Sequence, residues 1–564
     1  MLRTVASTIR RTAKERFGWR KLRPGQAEAI KALVKGADVL VVMPTGSGKS
    51  AVYQLAGLLL DGPTVVVSPL IALQRDQLAG LAARGGGKPG LEAVAVNSAQ
   101  GAGQTSHAWE SLRTGEAEFI FLAPEQLAND AVVDRLAQAR ISLFVVDEAH
   151  CVSAWGHDFR PDYLRIGDVM ERLGSPRIAA LTATAAPPVR AEIIEKLKMR
   201  RPVQIIQGFD RPNLRLEVHR FTDGRRKQAA VVEKVEELVG TGLVYTATRK
   251  DTEHYAEALR ASGRRAAAYH AGLKAAEREQ VHTGFLAGQI EVVVATSAFG
   301  MGIDKPDVRF VVHADVSESL DSYYQEIGRA GRDGAPALTL LFYRSEDLGL
   351  RNFFASGGGQ PDVLTTVAGA VQKHTKDEGS VEPSVLKEEL ELSHTRLTNA
   401  VNLLEQAGAI DVDGQGRLHY TNPRLKVSTA VTRAGEVGEA HVRVDRSRVE
   451  MMRGYAETMG CRRQFLLGYF GEELPKPCGN CDTCSSGSAT VNLIDLRDGN
   501  RSKPPKSPRF ALNAQVKHRE WGRGVVMRHE PDRITVLFEQ VGYRTLSLAA
   551  LQADDGLLVV QKPA

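Results

Sequence analysis

The chain is poor in cysteine, with five in 564 residues, and poor in aromatics, which make up 6%. So few cysteines exclude a disulfide-built scaffold and point to a reducing cytoplasm. No apolar run approaches the roughly 18 to 20 residues of a helical membrane span, so no membrane partner is expected. Strong charge of either sign is missing as well: 73 Lys and Arg against 67 Asp and Glu leave a net charge of +6. That balance admits a nucleic-acid partner without demanding one. The opening stretch MLRTVASTIRRTAKERFG lacks a secretory apolar segment and is expected to fold as a first helix.

What is present is length and pattern. A chain of 564 residues exceeds one ordinary core and implies several domains. Short, continuously apolar runs at 38–43, 64–68, 141–146 and 178–182 read as strands of a parallel sheet buried on both faces. A second series at 242–246, 291–295 and 309–313, after a boundary near GFDRPNL, reads as a second doubly wound α/β lobe. Ligands of such sheets bind at the carboxyl ends of the strands, and the motifs fall there.

MPTGSGKS follows the first strand and precedes a helix. Gly46 and Gly48 let the loop Thr45-Gly46-Ser47-Gly48 wrap backbone N–H groups around phosphates. Lys49 supplies a charge for the outer phosphates and Ser50 a magnesium ligand, although Met43 stands where the strict P-loop pattern has a glycine. In FVVDEAH a buried strand delivers Asp147, suited to holding magnesium, and Glu148, suited to orienting or deprotonating water. His150 then stands where it can report across the cleft. In YYQEIGRAGRDG, Arg329 and Arg332 are spaced i, i+3 on an expected helix beside Gln325, so both can face phosphates held by the other lobe. Surface salt bridges are the alternative for this arginine pair.

The ordered set FGWRKLRPGQ, MPTGSGKS, SPLIALQRDQ, APEQL, DEAHCVSAWGHDFRP, LTATA, YHAGL, VATSAFGMGIDKPDVR and YYQEIGRAGRDG resembles the motifs of a superfamily 2 helicase of the RecQ family, over about residues 10 to 345. The resemblance implies two tandem RecA-like lobes, 1–207 and 208–350, with Arg23 and Gln26 beside the adenine and Arg332 as the arginine finger. It further implies a 3′-to-5′ motor on single-stranded and forked DNA, consuming ATP with magnesium, in DNA repair and recombination. The segment after the acidic pair resembles the family's aromatic-rich loop, in which Ser153, Trp155, His157, Phe159 and Arg160 would touch DNA; ordinary core aromatics are the alternative for Trp155 and Phe159. A cytoplasmic monomer working at the bacterial nucleoid is expected. An RNA-dependent ATPase and an ATP-switched adaptor are the competing functions.

Beyond glycine-rich 355–362, the segment 360–440 reads as a winged helix. Ser393 caps its recognition helix, Leu397, Val401 and Leu404 form its apolar stripe, Gly408 ends it, and His394, Arg396 and Asn399 face outward, toward DNA or toward a protein. In 441–488, Cys461, Cys478, Cys481 and Cys484 give C(x16)C(x2)C(x2)C, a four-thiolate pattern for a structural zinc. Cys151 reads as small and buried. CRRQFLLGYFGE again resembles RecQ, but the zinc module there usually precedes the winged helix, and no HRDC domain is apparent. After a basic, proline-rich linker (489–512), residues 513–564 alternate apolar positions through Val525, Ile534, Val536, Phe538 and Leu546 as a small SH3-like barrel. This tail is similar to the Tudor-like tail of UvrD-type helicases, which implies RNA polymerase or a repair protein as partner; a second nucleic-acid-binding barrel using Trp521 is the alternative.

Overall fold

The computed structural model describes residues 2–69, 71–85, 92–97, 100–153, 160–299, 305–349, 351, 361–413, 416–489, 509–529, 533–539 and 541–561. Trp155, His157, Phe159 and most of the linker lie outside these residues, as does the side chain of His394.

Lobe 1 is a seven-stranded parallel sheet: β1 (Val39–Val42), β2 (Thr64–Val67), β3 (Glu92–Val96), β4 (Ala117–Leu122), β5 (Leu143–Val146), β6 (Arg177–Thr182) and β7 (Val203–Ile206), in the order β3-β4-β2-β5-β6-β1-β7. Continuous apolar runs are needed because both faces are covered. Val39 and Val41 enter one apolar layer with Ile9 and Phe17 of the helix Leu2–Phe17, while Leu40 and Val42 enter the opposite layer. The expected first helix is therefore part of the core. Strands β3, β4 and β7 were not among the expected runs; β7 is an edge strand with exposed Val203 and Ile206, so it lacks a buried strand's composition.

The register brings the motifs together. Val42 pairs with Thr182 and Val146 with Ala180, so the loops after β1, β5 and β6 leave the sheet at one edge. Strand β6 lies between β1 and β5, which puts Thr182–Thr184 between the P-loop and the acidic pair.

Lobe 2 contains β8 (Leu214–Arg220), β9 (Thr241–Tyr245), β10 (Ala266–Tyr269), β11 (Val292–Ala295), β12 (Val308–His313) and β13 (Ala337–Tyr343), all parallel, in the order β10-β11-β9-β12-β13-β8. One apolar cluster runs from Phe144 in lobe 1 through Leu216 and Val293 in lobe 2 to Phe465 and Phe470 beyond the cysteine Cys461, and on to Tyr543 near the C-terminus.

The winged-helix segment packs the helices Pro361–Glu378, Pro383–Glu389 and His394–Gln406 against a hairpin of β14 (Ile410–Val412) and β15 (Leu418–Tyr420). Ser393 Oγ accepts from the Arg396 N–H, and Leu397 and Leu404 are buried, as the pattern required. The boundary expected at 440/441 falls inside one 31-residue helix, Val427–Glu457. Its start supplies Ala430 and Ala434 to the winged-helix core, and its end supplies Met452 and Tyr455 to the large cluster. An ion pair of 2.6 Å from Arg165 to Glu405 ties the helix His394–Gln406 back to lobe 1.

The C-terminal module is a five-stranded antiparallel sheet, β16 (Gln515–His518), β17 (Gly522–His529), β18 (Arg533–Phe538), β19 (Gly542–Ser547) and β20 (Leu558–Val560), in the order β19-β18-β17-β16-β20. Ile534, Val536, Phe538 and Leu546 form its own core, whereas Val525 packs outward against the large cluster. Trp521 stacks on His518 with ring centroids 4.1 Å apart and so is structurally engaged.

Phe470 is the wedge of this assembly. It is stacked on Phe209 at 4.5 Å, at the junction of the lobes, and its carbonyl accepts from Arg190 of lobe 1 at 2.7 Å. Phe470→Ala is expected to cost about 3–5 kcal/mol through the cavity it leaves, read as a lower midpoint in urea unfolding.

Candidate nucleotide and zinc sites

The P-loop is shaped by two left-handed glycines, Gly46 at φ 78° and Gly48 at φ 79°, a region that other residues enter only with strain. Gln26 Nε2 donates to the Gly48 carbonyl at 2.8 Å and to the Ser47 carbonyl at 3.2 Å, and Arg23 donates to the Gly46 carbonyl. Arg23 and Gln26 thus hold the back of the phosphate loop. Lys49 donates to the Met43 carbonyl at 3.3 Å, so Met43 serves through its backbone where the strict pattern has glycine. Ser50 Oγ accepts from Gln77 Nε2 at 3.1 Å; Gln77 ends the motif SPLIALQRDQ, which gave the only hint of it.

The charges are gathered together, Asp147 buried and Lys49 and Glu148 half-buried. Burial pushes the Lys49 ammonium below its ordinary range, opposed by Glu148 and Asp147. Burial pushes Asp147 up to about 7, helped by the neighbouring Glu148 and opposed by Lys49. Glu148 is held in the left-handed region at φ 48°, ψ 48°, an uncommon conformation of the kind found at functional sites. Ser47 Oγ and Glu148 Oε2 are buried without a hydrogen-bond partner among the described residues. Orphan polar atoms around a cradle of glycine N–H groups fit a bound phosphate chain and its water.

A polar relay leads from these acids to lobe 2. His150 Nδ1 lies 3.4 Å from Glu148 Oε2 and 2.9 Å from Thr182 Oγ1. Thr182 donates its own proton to the Thr184 carbonyl at 3.0 Å, so it accepts from His150, and the imidazole carries a proton on Nδ1. Gln325 Nε2 of lobe 2 then donates to Thr184 Oγ1 at 3.1 Å. The motif LTATA marked the place but not these two threonines.

The arginine pair requires a correction. The helix Leu320–Ile327 stops before both residues, because Gly328 caps it and Gly331, at φ 56°, turns the chain. The two side chains therefore part. Arg329 is buried beside Tyr245, with Nε lacking a hydrogen-bond partner among the described residues. Arg332 reaches the P-loop: a Cβ added to Gly46 would sit 3.3 Å from its Cδ, and its charge helps lower the Lys49 pKa.

Of the expected DNA-contacting residues, the two flanking the aromatics are described. Ser153 Oγ donates to Glu192 Oε2 at 2.5 Å; Arg160 donates through its backbone N–H to the Cys151 carbonyl at 3.0 Å and through its guanidinium to the Pro69 carbonyl at 3.1 Å. Both ends of the aromatic loop are thus moored next to His150. Cys151 itself is fully buried. On the winged helix, Arg396 and Asn399 are exposed.

Cys461, Cys478, Cys481 and Cys484 place four Sγ atoms within 4.8 Å of one another. A tetrahedron of Zn–S bonds of about 2.3 Å has edges of about 3.8 Å, so the set fits zinc with no position left for catalytic water. The module grips lobe 2: Arg462 pairs with Asp482 at 2.7 Å, Asp482 accepts from the Val218 N–H at 3.2 Å, and Asn480 donates to the Pro212 carbonyl at 3.1 Å.

Comparisons with known proteins agree with this layout. Residues 23–192 match the DEAD/DEAH box helicase family, 227–334 the helicase conserved C-terminal domain and 425–485 the RecQ zinc-binding domain. The probable ATP-dependent DNA helicase RecS of Bacillus subtilis is 33% identical over 496 residues, 88% of this chain and 95% of that protein. The chain belongs to the RecQ family of ATP-dependent DNA helicases. The RecQ helicase of Pasteurella multocida is 35% identical over 83% of this chain, which spans 61% of that protein. Among solved structures, the DUF1998 helicase MrfA bound to DNA shares the fold at a TM-score of 0.51 and 16% identity, over 75% of this chain and 63% of that one. Like its relatives, this helicase is an ATP-dependent enzyme acting on DNA, and its cysteines form the family's zinc module.

The chain is expected to carry one zinc per molecule by metal analysis. Cys481→Ser should lose it and unfold at lower temperature, since structural zinc binding contributes folding free energy on the order of 10 kcal/mol.

Proposed function

We propose that this helicase is a magnesium-dependent 3′-to-5′ motor on single-stranded DNA that opens forked duplexes during repair and recombination. The observation that carries the reading is the meeting of Arg332 with the P-loop across the lobe interface. In this reading Thr45, Gly46, Ser47 and Gly48 cradle the phosphates, Lys49 neutralises the outer ones, and Arg23 and Gln26 border the adenine. Ser50 and Asp147 would hold magnesium, which neutralises charge on the phosphates. Glu148 takes the proton of the attacking water as the bond from the γ-phosphorus to ADP breaks. Arg332 stabilises the departing charge, Gln325 senses closure through Thr184, and Arg329 backs the finger from inside lobe 2.

DNA sets the rate through the moored loop. Stacking on Trp155 and Phe159, with His157 and Arg160 on the backbone, pulls on Ser153 and Arg160 and so on His150. Base stacking of about 1–3 kcal/mol suffices to shift such a local equilibrium tenfold. The winged helix would grip the duplex through His394 and Arg396. A partner of the C-terminal module, whether RNA polymerase or a repair protein, would have to use the half of its outer face bearing exposed Lys517, Arg523 and Val559, since Leu537 and Tyr543 are already covered. Nothing in this scheme needs a second copy of the chain, so a monomer suffices.

Arg332→Ala is expected to lower DNA-stimulated turnover on the order of a thousandfold, and Lys49→Ala to abolish it. Trp155→Ala should keep basal turnover and lose stimulation by DNA; full stimulation in that variant overturns the coupling. A duplex with a 3′ tail should be unwound and one with a 5′ tail left intact, and the reverse result sinks the polarity.

A further inference from the structure

The helix Leu320–Ile327 carries Gln325 and runs straight into Arg329 and Arg332, so its position decides where the lobe 2 groups meet the P-loop. Within lobe 2 it is held by Glu326, which accepts from His313 Nε2 and from Ser317 Oγ, each at 2.8 Å. The Tyr323 ring also lies 4.8 Å from His313 and Tyr324 OH donates to the Phe209 carbonyl at 2.7 Å, and further support comes from outside the lobe. Tyr323 OH lies 3.2 Å from Tyr455 OH at the end of the long helix, and the Tyr324 ring packs on Phe470 at 4.8 Å. Asp321, buried in the first turn, accepts from Tyr469 OH in the zinc module.

The contacts continue into the C-terminal module. The Tyr469 ring packs on Tyr543 of β19, with ring centroids 5.7 Å apart. Burial first, and Asp321 second, push both phenols well above their ordinary range, so Tyr469 stays protonated and donating to Asp321 at neutral pH. The module is seated to present it. The Arg528 guanidinium lies 3.7 Å from the centre of the Phe465 ring, and a Cβ on Gly542 would come within 2.2 Å of Ser447 Oγ on the long helix.

We infer that Tyr543 and Tyr469 are positioning residues for ATP turnover: through Asp321 they fix the helix that presents Gln325 and Arg332 to lobe 1, which makes the C-terminal module a working part of the motor. The inference rests on the two-lobe mechanism proposed above and extends it to residues outside both lobes. Removing the Tyr469 hydroxyl leaves buried Asp321 short of a donor, and removing the Tyr543 ring leaves Tyr469 without its backing, so in either case the helix relaxes. A displacement near 1 Å far from the chemistry costs up to about a hundredfold in rate.

The test uses the full, zinc-loaded chain. The kcat per nucleotide-binding site and the KM for ATP are measured with and without saturating oligothymidylate for Tyr543→Ala, Tyr469→Phe and the double variant, alongside hydrogen exchange of peptides covering residues 320–327. Each single variant is expected to lose about tenfold in DNA-saturated kcat, with KM within about twofold, and to exchange faster over the helix. The double variant should be no worse than the weaker single, because both break one chain. Wild-type kcat and exchange in both singles, or losses that multiply in the double, overturn the inference. Normalising to binding sites removes loss of folded protein as a cause. A wild-type chain unstimulated by DNA would instead sink the parent mechanism, and the exchange measurement would still decide the role of Tyr469 and Tyr543.

Discussion

The whole assembly depends on how the stretch from Leu320 to Arg332 is held. It must reach into the other lobe with a glutamine and an arginine, and lobe 2 grips it through Glu326, through the Tyr323 ring against His313 and through Tyr324 OH, which donates to the Phe209 carbonyl. A helix of eight residues is too short to be stable by its own hydrogen bonds. Its position depends as well on contacts from outside the lobe, where Tyr455, Tyr469 and Phe470 of the zinc-module region contact Tyr323, Asp321 and Tyr324 in turn. Zinc therefore acts at a distance. Four thiolates fix Asn480 and Asp482 against β8, and the same module fixes the aromatic residues that clamp the nucleotide-facing helix.

On the lobe 1 side the governing effect is desolvation. Lys49, Asp147 and Glu148 are brought together by strands whose other residues are apolar, so the charges of Lys49 and Asp147 lie in a medium that penalises them. They remain tolerable because they compensate one another. A site built in this way responds strongly to any new charge, which suits a phosphate chain with its cation. From the left-handed Glu148 a line of polar contacts runs through His150, Thr182 and Thr184 to Gln325.

The winged-helix segment is inserted between lobe 2 and the cysteines without separating them. One continuous helix of 31 residues, about 46 Å long at 1.5 Å per residue, serves both cores. The Arg165–Glu405 pair then carries the inserted module back onto lobe 1. A part-buried ion pair of this kind contributes little net stability, but it fixes an orientation.

Much of this was legible in the residues. Buried parallel strands betray themselves by unbroken apolar runs, so β1, β2, β5, β6, β9, β11 and β12 could be read, while β7, exposed at an edge, and β10, nearly all alanine, could not. The P-loop, the acidic pair and the cysteine set were legible because their chemistry demands fixed residue types at short spacing. By itself the sequence determined the two lobes, the phosphate loop, the zinc ligands and the order of the modules, since each is encoded by neighbours in the chain. Only the tertiary structure decided that Arg329 and Arg332 part company after Gly328, that Thr182 and Thr184 link His150 to Gln325, and that Tyr543 reaches Asp321 through Tyr469. Those are contacts between side chains far apart in the chain, and their distances follow from how whole sheets and modules pack, which no local spacing records.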